Sequence, residues 1–273
     1  RASIEVFLFL IHLKILVLGG TRFIGKFLVK ELISEGHELT LFTRGKESIP
    51  NNVEHWQGDR KNSQDLKILA SKTFDVIIDT SGRILEDTKN VLEITGSPSY
   101  RFLYISSAGI YDKSDLLPIN EGSPIDPSSR HIGKVNTEQW LIDKGIPFTS
   151  FRPTYIYGPG NYNPIEKWFF DRIVHKQNIP IPGDGSTITQ LGHVEDLIKA
   201  MILSLKSGIA ENKIYNCSGT HGVTFLGLLS IAAISCGFDP TDIKYTFFDT
   251  SKIDSKARKL FPLRLEHFFT DVS

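Results

Sequence analysis

KILVLGGTRFIG, residues 14–25, sets the reading of the chain. An apolar run enters a pair of glycines, as a buried strand does on reaching a tight turn. Beyond the turn, Phe23, Phe27, Leu28, Leu32 and Ile33 recur at helical spacing, and Gly36 stops the helix. ELTLFT, residues 38–43, reads as a second strand. Strand, helix and strand within about 30 residues form a βαβ unit. Glycines in its first turn let the backbone approach a pyrophosphate, and the helix N-terminus supplies N–H groups and positive potential. Gly19, Gly20, Thr21, Arg22, Phe23, Ile24 and Gly25 are therefore candidate cofactor-binding residues. Read as GxxGxxG, the turn carries Arg22 in the middle glycine place.

The alternation continues outward. Strands are predicted at 53–57, 75–79, 102–106 and 147–152, and helices at 63–70, 88–94 and 130–144. Strands alternating with helices imply a parallel sheet with right-handed crossovers. After Pro153 the texture changes: YGPGNYNP (157–164) leads to a helix at 165–174 and a turn-rich ribbon at 179–185. A helix at 194–205, a strand at 213–217 and a helix at 225–236 follow. The expected fold class is α/β, a Rossmann-type doubly wound parallel sheet with a small C-terminal substrate lobe. Residues 14–160 and about 190–218 are assigned to the dinucleotide-binding domain, and about 161–189 and 219–273 to the lobe.

Residues 1–13 read as an extra, non-native N-terminal extension: the chain opens on Arg1, and its apolar run at 6–13 is broken by His12. That run is shorter than the about 20 residues a bilayer span takes, and no small-residue cleavage site follows it. Lys+Arg and Asp+Glu are both 31, so the net charge is zero. No global field then draws the chain to nucleic acid or to an anionic membrane, and RNA binding would need a local basic patch. No membrane partner is expected. Cys217 and Cys236 form no CxxC pair and no disulfide framework, which points to a reducing compartment. No metal-ligand spacing is present.

FTRGK, residues 42–46, follows the second strand with no acid and with Arg44. An acid there would take the ribose 2′-hydroxyl, whereas Arg suits a 2′-phosphate, so NADP is expected in preference to NAD. Asp59, after the third strand, fits a loop that hydrogen-bonds the adenine.

SSAGIY (106–111), SRHIGK (129–134) and RPTYIYGP (152–159) together resemble the extended short-chain dehydrogenases, above all the nucleotide-sugar epimerases and dehydratases. The resemblance implies a site made of a serine and a YxxxK pair. In it the tyrosine is the acid/base, and the lysine lowers its pKa and binds the nicotinamide ribose. The match places Ser107 as the serine and Lys134 as both the catalytic lysine and a cofactor ligand, and it puts Arg130 where the tyrosine belongs. Arginine, with a pKa above about 12, exchanges no proton near neutral pH. His131 and Tyr111 are the neighbours that could substitute. Arg130 and Lys134, four apart on one predicted helix, would both face the nicotinamide side and favour an anion.

GGTRFIG, LFTRGK, GDRK, SSAGIY, SRHIGK, RPTYIYGPGNYNP, WFF, ITQLGHVEDL and FPLRLEHFF more closely resemble the chloroplast stem-loop-binding proteins and their cyanobacterial relatives, over residues 14–273. Arg22 and Arg130 belong to that family's pattern. The resemblance implies an RNA-binding protein, with endoribonuclease activity described for the family, on an epimerase-like scaffold. The family extends past residue 273, which implies a C-terminus cut short. Residues 1–13 are too short and too poor in Arg and Ser for a transit peptide, so a cyanobacterial cytoplasm fits better, with the plastid stroma as the alternative.

Two functions from different classes thus stand side by side. One is an RNA binder whose dinucleotide site is regulatory or vestigial. The other is an NAD(P)-dependent epimerase, dehydratase or reductase acting on a nucleotide-sugar-like small molecule. Either is compatible with a homo-oligomer. Arg60, Lys61, Arg130, His131, Lys134 and Lys167 are the candidate RNA patch. His193 is expected to pack at the cleft rim, His221 and His267 on the lobe, and Trp168, Phe169 and Phe170 in the lobe core.

Overall fold

The structure, a computed structural model, describes residues 12–273. Residues 1–11 of the segment read as an extension lie outside the described residues.

The first βαβ unit forms as its pattern dictates. Strand β1 (Lys14–Leu18) runs into the glycine turn, helix α1 covers Ile24–Ser34, and β2 covers Glu38–Thr43. Next come β3 (Glu54–Gln57), α2 (Ser63–Leu66), β4 (Val76–Asp79), α3 (Leu85–Thr95) and β5 (Arg101–Ile105). Helix α4 (Ile132–Asp143) leads into β6 (Phe148–Pro153), and the last strand of the main sheet is Lys213–Cys217. That sheet has seven strands, in the order 213–217, β6, β5, β4, β1, β2, β3. Its neighbouring pairs are all parallel. The order reverses between β1 and β4, the switch point where ligands of such sheets gather. The doubly wound α/β fold is as expected.

Alternation along β1 builds both faces. Ile15 and Val17 join Leu28 and Leu32 of α1 in one core. Leu16 and Leu18 join Phe102, Tyr104 and Leu141 in the core on the other face. Side chains of a strand point alternately to its two sides, so one short apolar run supplies both.

Past β6 lie β7 (Tyr155–Tyr157), α5 (Ile165–Val174), β8 (Ile179–Pro182), β9 (Ile188–Thr189), β10 (Leu191–His193) and α6 (Val194–Leu205). β11 (Lys213–Cys217) closes the main sheet, and β12 (Val223–Thr224), α7 (Phe225–Ser235) and β13 (Tyr245–Phe248) follow. β8 pairs in parallel with β13, and β9 pairs antiparallel with β12. Phe169, Ile173, Ile179, Phe225, Leu229 and Phe261 form a third core, with Trp168 and Phe170 packed against it. The aromatic triplet 168–170 is thus core, as expected.

Three boundaries depart from the expectation by more than one residue. The helix expected at 88–94 begins at Leu85. The segment read as helix 63–70 is four residues of α-helix followed by a 3-10 turn at Lys67–Ser71. More consequentially, α4 begins at Ile132 rather than at 130, with His131 as its cap. Arg130 and Lys134 therefore do not share a helix. Helical spacing carries no force before the first helical residue, so the two side chains have different surroundings.

Candidate functional site

A cleft of about 690 Å³ opens at the carboxyl ends of β1, β2 and β4. The glycine turn forms its floor. Gly19 and Gly20 have φ of +108° and +91°, which a residue with a Cβ rarely adopts. A Cβ on Gly25 would sit 2.5 Å from Gly20 Cα, so only glycine lets α1 approach the turn this closely. The turn leaves backbone N–H groups facing the cleft at the start of an eleven-residue helix with no side-chain cap, as a pyrophosphate requires. Thr21, Phe23 and Ile24 line the cleft with them.

Arg44, Lys46, Asp59 and Lys61 also line it. Asp59 accepts a hydrogen bond from the Lys61 N–H at 3.0 Å, and its own N–H donates to Asp65 at 2.8 Å. Arg22 lies over the Tyr162 ring at 4.1 Å, and its Nε is 3.8 Å from Glu47 Oε1. Glu47 corrects the expectation that no acid stands near Arg44: it lines the same wall. Tyr162 comes from the YGPGNYNP loop and borders the cleft from the far side.

Arg60 is no free cation. It donates to the buried Asp79 at 2.8 Å and to Ser81 Oγ at 2.8 Å. Asp79 also accepts from the Ser81 and Gly82 N–H groups and from Thr88. Arg60 therefore ties the loop after β3 to the loop after β4, and its place in a basic RNA patch is corrected. Lys167 is ion-paired with Asp171.

The second half of the site lies at the end of β5. Ser107 Oγ accepts the Gly109 N–H at 3.1 Å and caps a short 3-10 turn. Lys134 Nζ donates to Gly82 O at 2.9 Å and to Ile105 O at 2.6 Å. Burial pulls its pKa down to about 8. His131 packs on Gly109, where a Cβ would come 2.8 Å from its ring. The Arg130 Nε–H donates to His131 Nε2 at 3.0 Å. Burial, and after it the charges of Arg130, Lys134, Arg264 and Arg83, push His131 down to about 4. Ser107, His131 and Lys134 thus lie around the end of β5 and the start of α4, next to the cleft but not among the residues that line it, with Arg130 exposed beside them.

Tyr111 is not brought there. Its hydroxyl donates to Asn216 Oδ1 at 2.7 Å and accepts from Arg152 at 2.9 Å. Arg152 is in turn paired with the buried Glu138. Burial raises the Tyr111 pKa, and the role of substitute acid/base does not fit a phenol enclosed in that network. His193 caps α6 and meets the Tyr157 ring edge-on, and it is not among the residues that line the cleft. Among the described residues no group of three or more His, Cys, Asp or Glu could hold a metal, and no helix is long and apolar enough to cross a membrane.

Arg83, Glu47, Tyr162 and Arg264 are site residues that the sequence reading missed. Arg264 donates to Gly109 O at 3.0 Å and to Tyr111 O at 3.4 Å. FPLRLEHFF held Arg264 in view, but no spacing links residue 264 to residue 109.

Residues 15–218 match the model described as the NAD dependent epimerase/dehydratase family. The chain is 43% identical over 275 residues to the chloroplast stem-loop binding protein of 41 kDa b of Arabidopsis thaliana, covering 95% of this chain and 72% of the relative. It is 26% identical over 287 residues to a UDP-glucose 4-epimerase of Lactobacillus helveticus, covering 86% and 84%. Among solved structures, the Thermotoga maritima UDP-glucose 4-epimerase with UDP-glucose superposes with a TM-score of 0.78 at 19% identity, over 95% of this chain and 90% of that one. The Thermus thermophilus UDP-glucose 4-epimerase in complex with NAD gives 0.75 at 20% identity, over the same shares. Similarity at that identity establishes the fold.

Proposed function

The chain belongs to the NAD dependent epimerase/dehydratase family, in the branch of the chloroplast stem-loop-binding proteins, and from that premise we propose an NADP-binding, epimerase-like protein that binds RNA and runs no efficient tyrosine-type hydride chemistry. One observation carries this reading. The place of the proton-exchanging tyrosine holds Arg130, an exposed guanidinium bonded to His131. General acid–base catalysis contributes about 10²–10⁴ in rate, and a guanidinium does not supply it.

The residues fit a nicotinamide dinucleotide. Gly19, Gly20, Thr21, Arg22, Phe23, Ile24 and Gly25 would hold the pyrophosphate, Asp59 the adenine, Arg44 the 2′-phosphate and Lys134 the nicotinamide ribose. Such a cofactor supplies hydride transfer when bound. Residues 14–160 and about 190–218 form the unit that binds it, and about 161–189 and 219–273 the lobe beside the cleft. The RNA reading rests on the name of the 43%-identical relative. Exposed cations support it: Lys61 and Arg83, which line the cleft, and Arg130, before α4, enter no ion pair among the described residues. The relative's name also places it in the chloroplast, which favours the plastid stroma over a cyanobacterial cytoplasm.

A second reading, an epimerase, dehydratase or reductase of a nucleotide-sugar-like substrate, has one observation in its favour. A Cβ on Gly109 would lie 3.1 Å from Ser107 Oγ and 3.2 Å from His131 Nε2. A neutral histidine therefore stands near the serine, its Nε2 held by the Arg130 Nε–H.

Fluorescence titration with NADPH and NADH tests the cofactor assignment. One charge-assisted phosphate contact contributes about 1.5–3 kcal/mol, a tenfold or greater preference for NADPH, and Arg44→Asp abolishes it. Equal affinities reject the assignment. NADP-linked turnover of UDP-glucose that survives Arg130→Ala and is lost in His131→Ala establishes the second reading instead.

A further inference from the structure

We propose that Arg83, Arg130 and Arg264 form a phosphate-binding subsite around the first turn of α4. It deepens the reading above, and rests on it, by naming what occupies the place where a sugar would react.

Three segments distant in sequence are locked together there by close backbone approach. A Cβ on Gly133, in the first turn of α4, would lie 2.6 Å from Arg83 O, so the loop after β4 is pressed against the helix. Gly109 accommodates the His131 ring in the same manner. Arg264 reaches across from the C-terminal segment to Gly109 O, and its guanidinium lies 4.5 Å from the centre of the Phe268 ring. The glycines bring three arginine-bearing segments to one helix start.

The charge gathered there is unmatched. Arg83, Arg130, Lys134 and Arg264 enter no ion pair among the described residues. The nearby acids are engaged: Asp79 with Arg60, Glu138 with Arg152, Glu266 with Lys113, Asp126 with the N–H and hydroxyl of Ser128, and Asp87 with the backbone N–H groups of Arg83 and Ile84. Helix α4 has twelve residues, no side-chain cap and no acid in its first turn, so its positive end is also unneutralised. The four cations named by burial and charge at His131 are the same four, and all of them disfavour its protonation. Asp79 and Glu138 offset part of the field at Lys134; an anion bound at the helix start would offset more. Arginine forks match a phosphate's oxygens two at a time, and Arg83 and Arg130 are exposed and able to turn toward one. The phosphate could belong to the backbone of an RNA strand or to a small phosphorylated substrate; both present the same group.

The test uses the full chain saturated with NADP, so that the dinucleotide's own phosphates are already placed. The His131 ring is followed by NMR through a pH titration, at constant ionic strength, with inorganic phosphate or with chloride. Phosphate is expected to raise the His131 midpoint by about one unit, equivalent to tenfold coupling. Arg83→Gln and Arg130→Gln, alone and combined, are expected to weaken phosphate binding about tenfold or more per residue removed. Both side chains are exposed, so the variants fold, and saturation by NADP is verified for each. An unmoved midpoint, a shift that chloride reproduces, or an affinity unchanged in the double variant overturns the subsite. A short RNA and a sugar phosphate are then compared on the chain free of dinucleotide, since NADP and RNA draw on the same cations, and the source is the one that moves His131 at lower concentration. Phosphate shifting His131 without any RNA binding upholds the subsite and removes the RNA reading. RNA binding with a silent His131 does the reverse.

Discussion

The Nε–H of Arg130 donates a hydrogen bond to Nε2 of His131 at 3.0 Å, so the residue in the tyrosine's place is bonded to the one neighbouring group suited to proton transfer. The bond fixes the tautomer, with the ring proton on Nδ1. It also sets a pH dependence. Burial, then Arg130 and the other cations, hold His131 at about 4 against an ordinary 6.5. Between those values the unfolded chain binds a proton that the folded ring refuses, so stability falls as pH drops from about 6.5 toward 4. Arg130→Ala removes the largest single charge acting on the ring. The His131 midpoint, followed by NMR, then moves up; a midpoint that stays at its native value contradicts this placement.

Lys134 gives the opposite trend in the alkaline range. Its pKa is lowered from 10.5 to about 8, chiefly by burial. Between those values the unfolded state holds the proton more tightly, so stability rises with pH. Lys134→Met removes a penalty of up to about 3 kcal/mol at pH 7, less what the carbonyls of Gly82 and Ile105 lose with their donor. Urea unfolding at pH 7 and pH 10.5 checks it. The gain of the Met variant over the native chain shrinks at the higher pH, and a gain of equal size at both would show that the amine is not held in a low-dielectric site.

Gly25→Ala drives a Cβ against the Gly20 backbone. Overpacking of this kind costs about 1–3 kcal/mol, and here it also displaces the turn, so dinucleotide binding is lost. Gly208→Ala is the control, since a Cβ there meets nothing within 4 Å. Thermal melts with and without NADPH separate the two: the ligand-induced rise in Tm vanishes in the first variant and survives in the second.

Asp79→Asn leaves the largely buried Arg60 without its counter-ion, and two backbone N–H groups lose a charged acceptor. Breaking a buried pair from one side costs about 3–5 kcal/mol. Equilibrium unfolding should show a loss in that range, and a loss under about 1 kcal/mol would mean that solvent reaches the pair.

The main sheet was legible because β1 and β5 are short apolar runs and because Gly19 and Gly25 mark the switch point. The same local signals pointed to Arg44, which lines the cleft, and to Ser107 and Lys134, which lie at the end of β5. What stayed hidden depends on long-range approach. Arg60 looks like a solvated loop cation until the fold delivers Asp79 from nineteen residues away. Tyr111 looks available until Asn216, 105 residues on, takes its hydroxyl. Arg130 and Lys134 share helical spacing, yet the helix begins between them, because the Ser129 hydroxyl bonds Gly109 O and the His131 N–H and holds residues 129–131 in a turn. Arg264 reaches Gly109 only through tertiary structure, across 155 residues.

RNA binding by the full chain, read as fluorescence anisotropy of a labelled stem-loop at several salt concentrations with and without NADPH, tests the central claim most directly. Lys61 and Arg83 line the dinucleotide cleft and Arg130 is exposed before α4, so binding should be detectable at low salt and weaken with salt at a slope of about −0.7 per phosphate contact for single strands. NADPH should compete, since Lys61 and Arg83 line the cofactor's own cleft. Binding that is absent at low salt contradicts the proposed function and leaves the nucleotide-sugar enzyme as the reading to pursue.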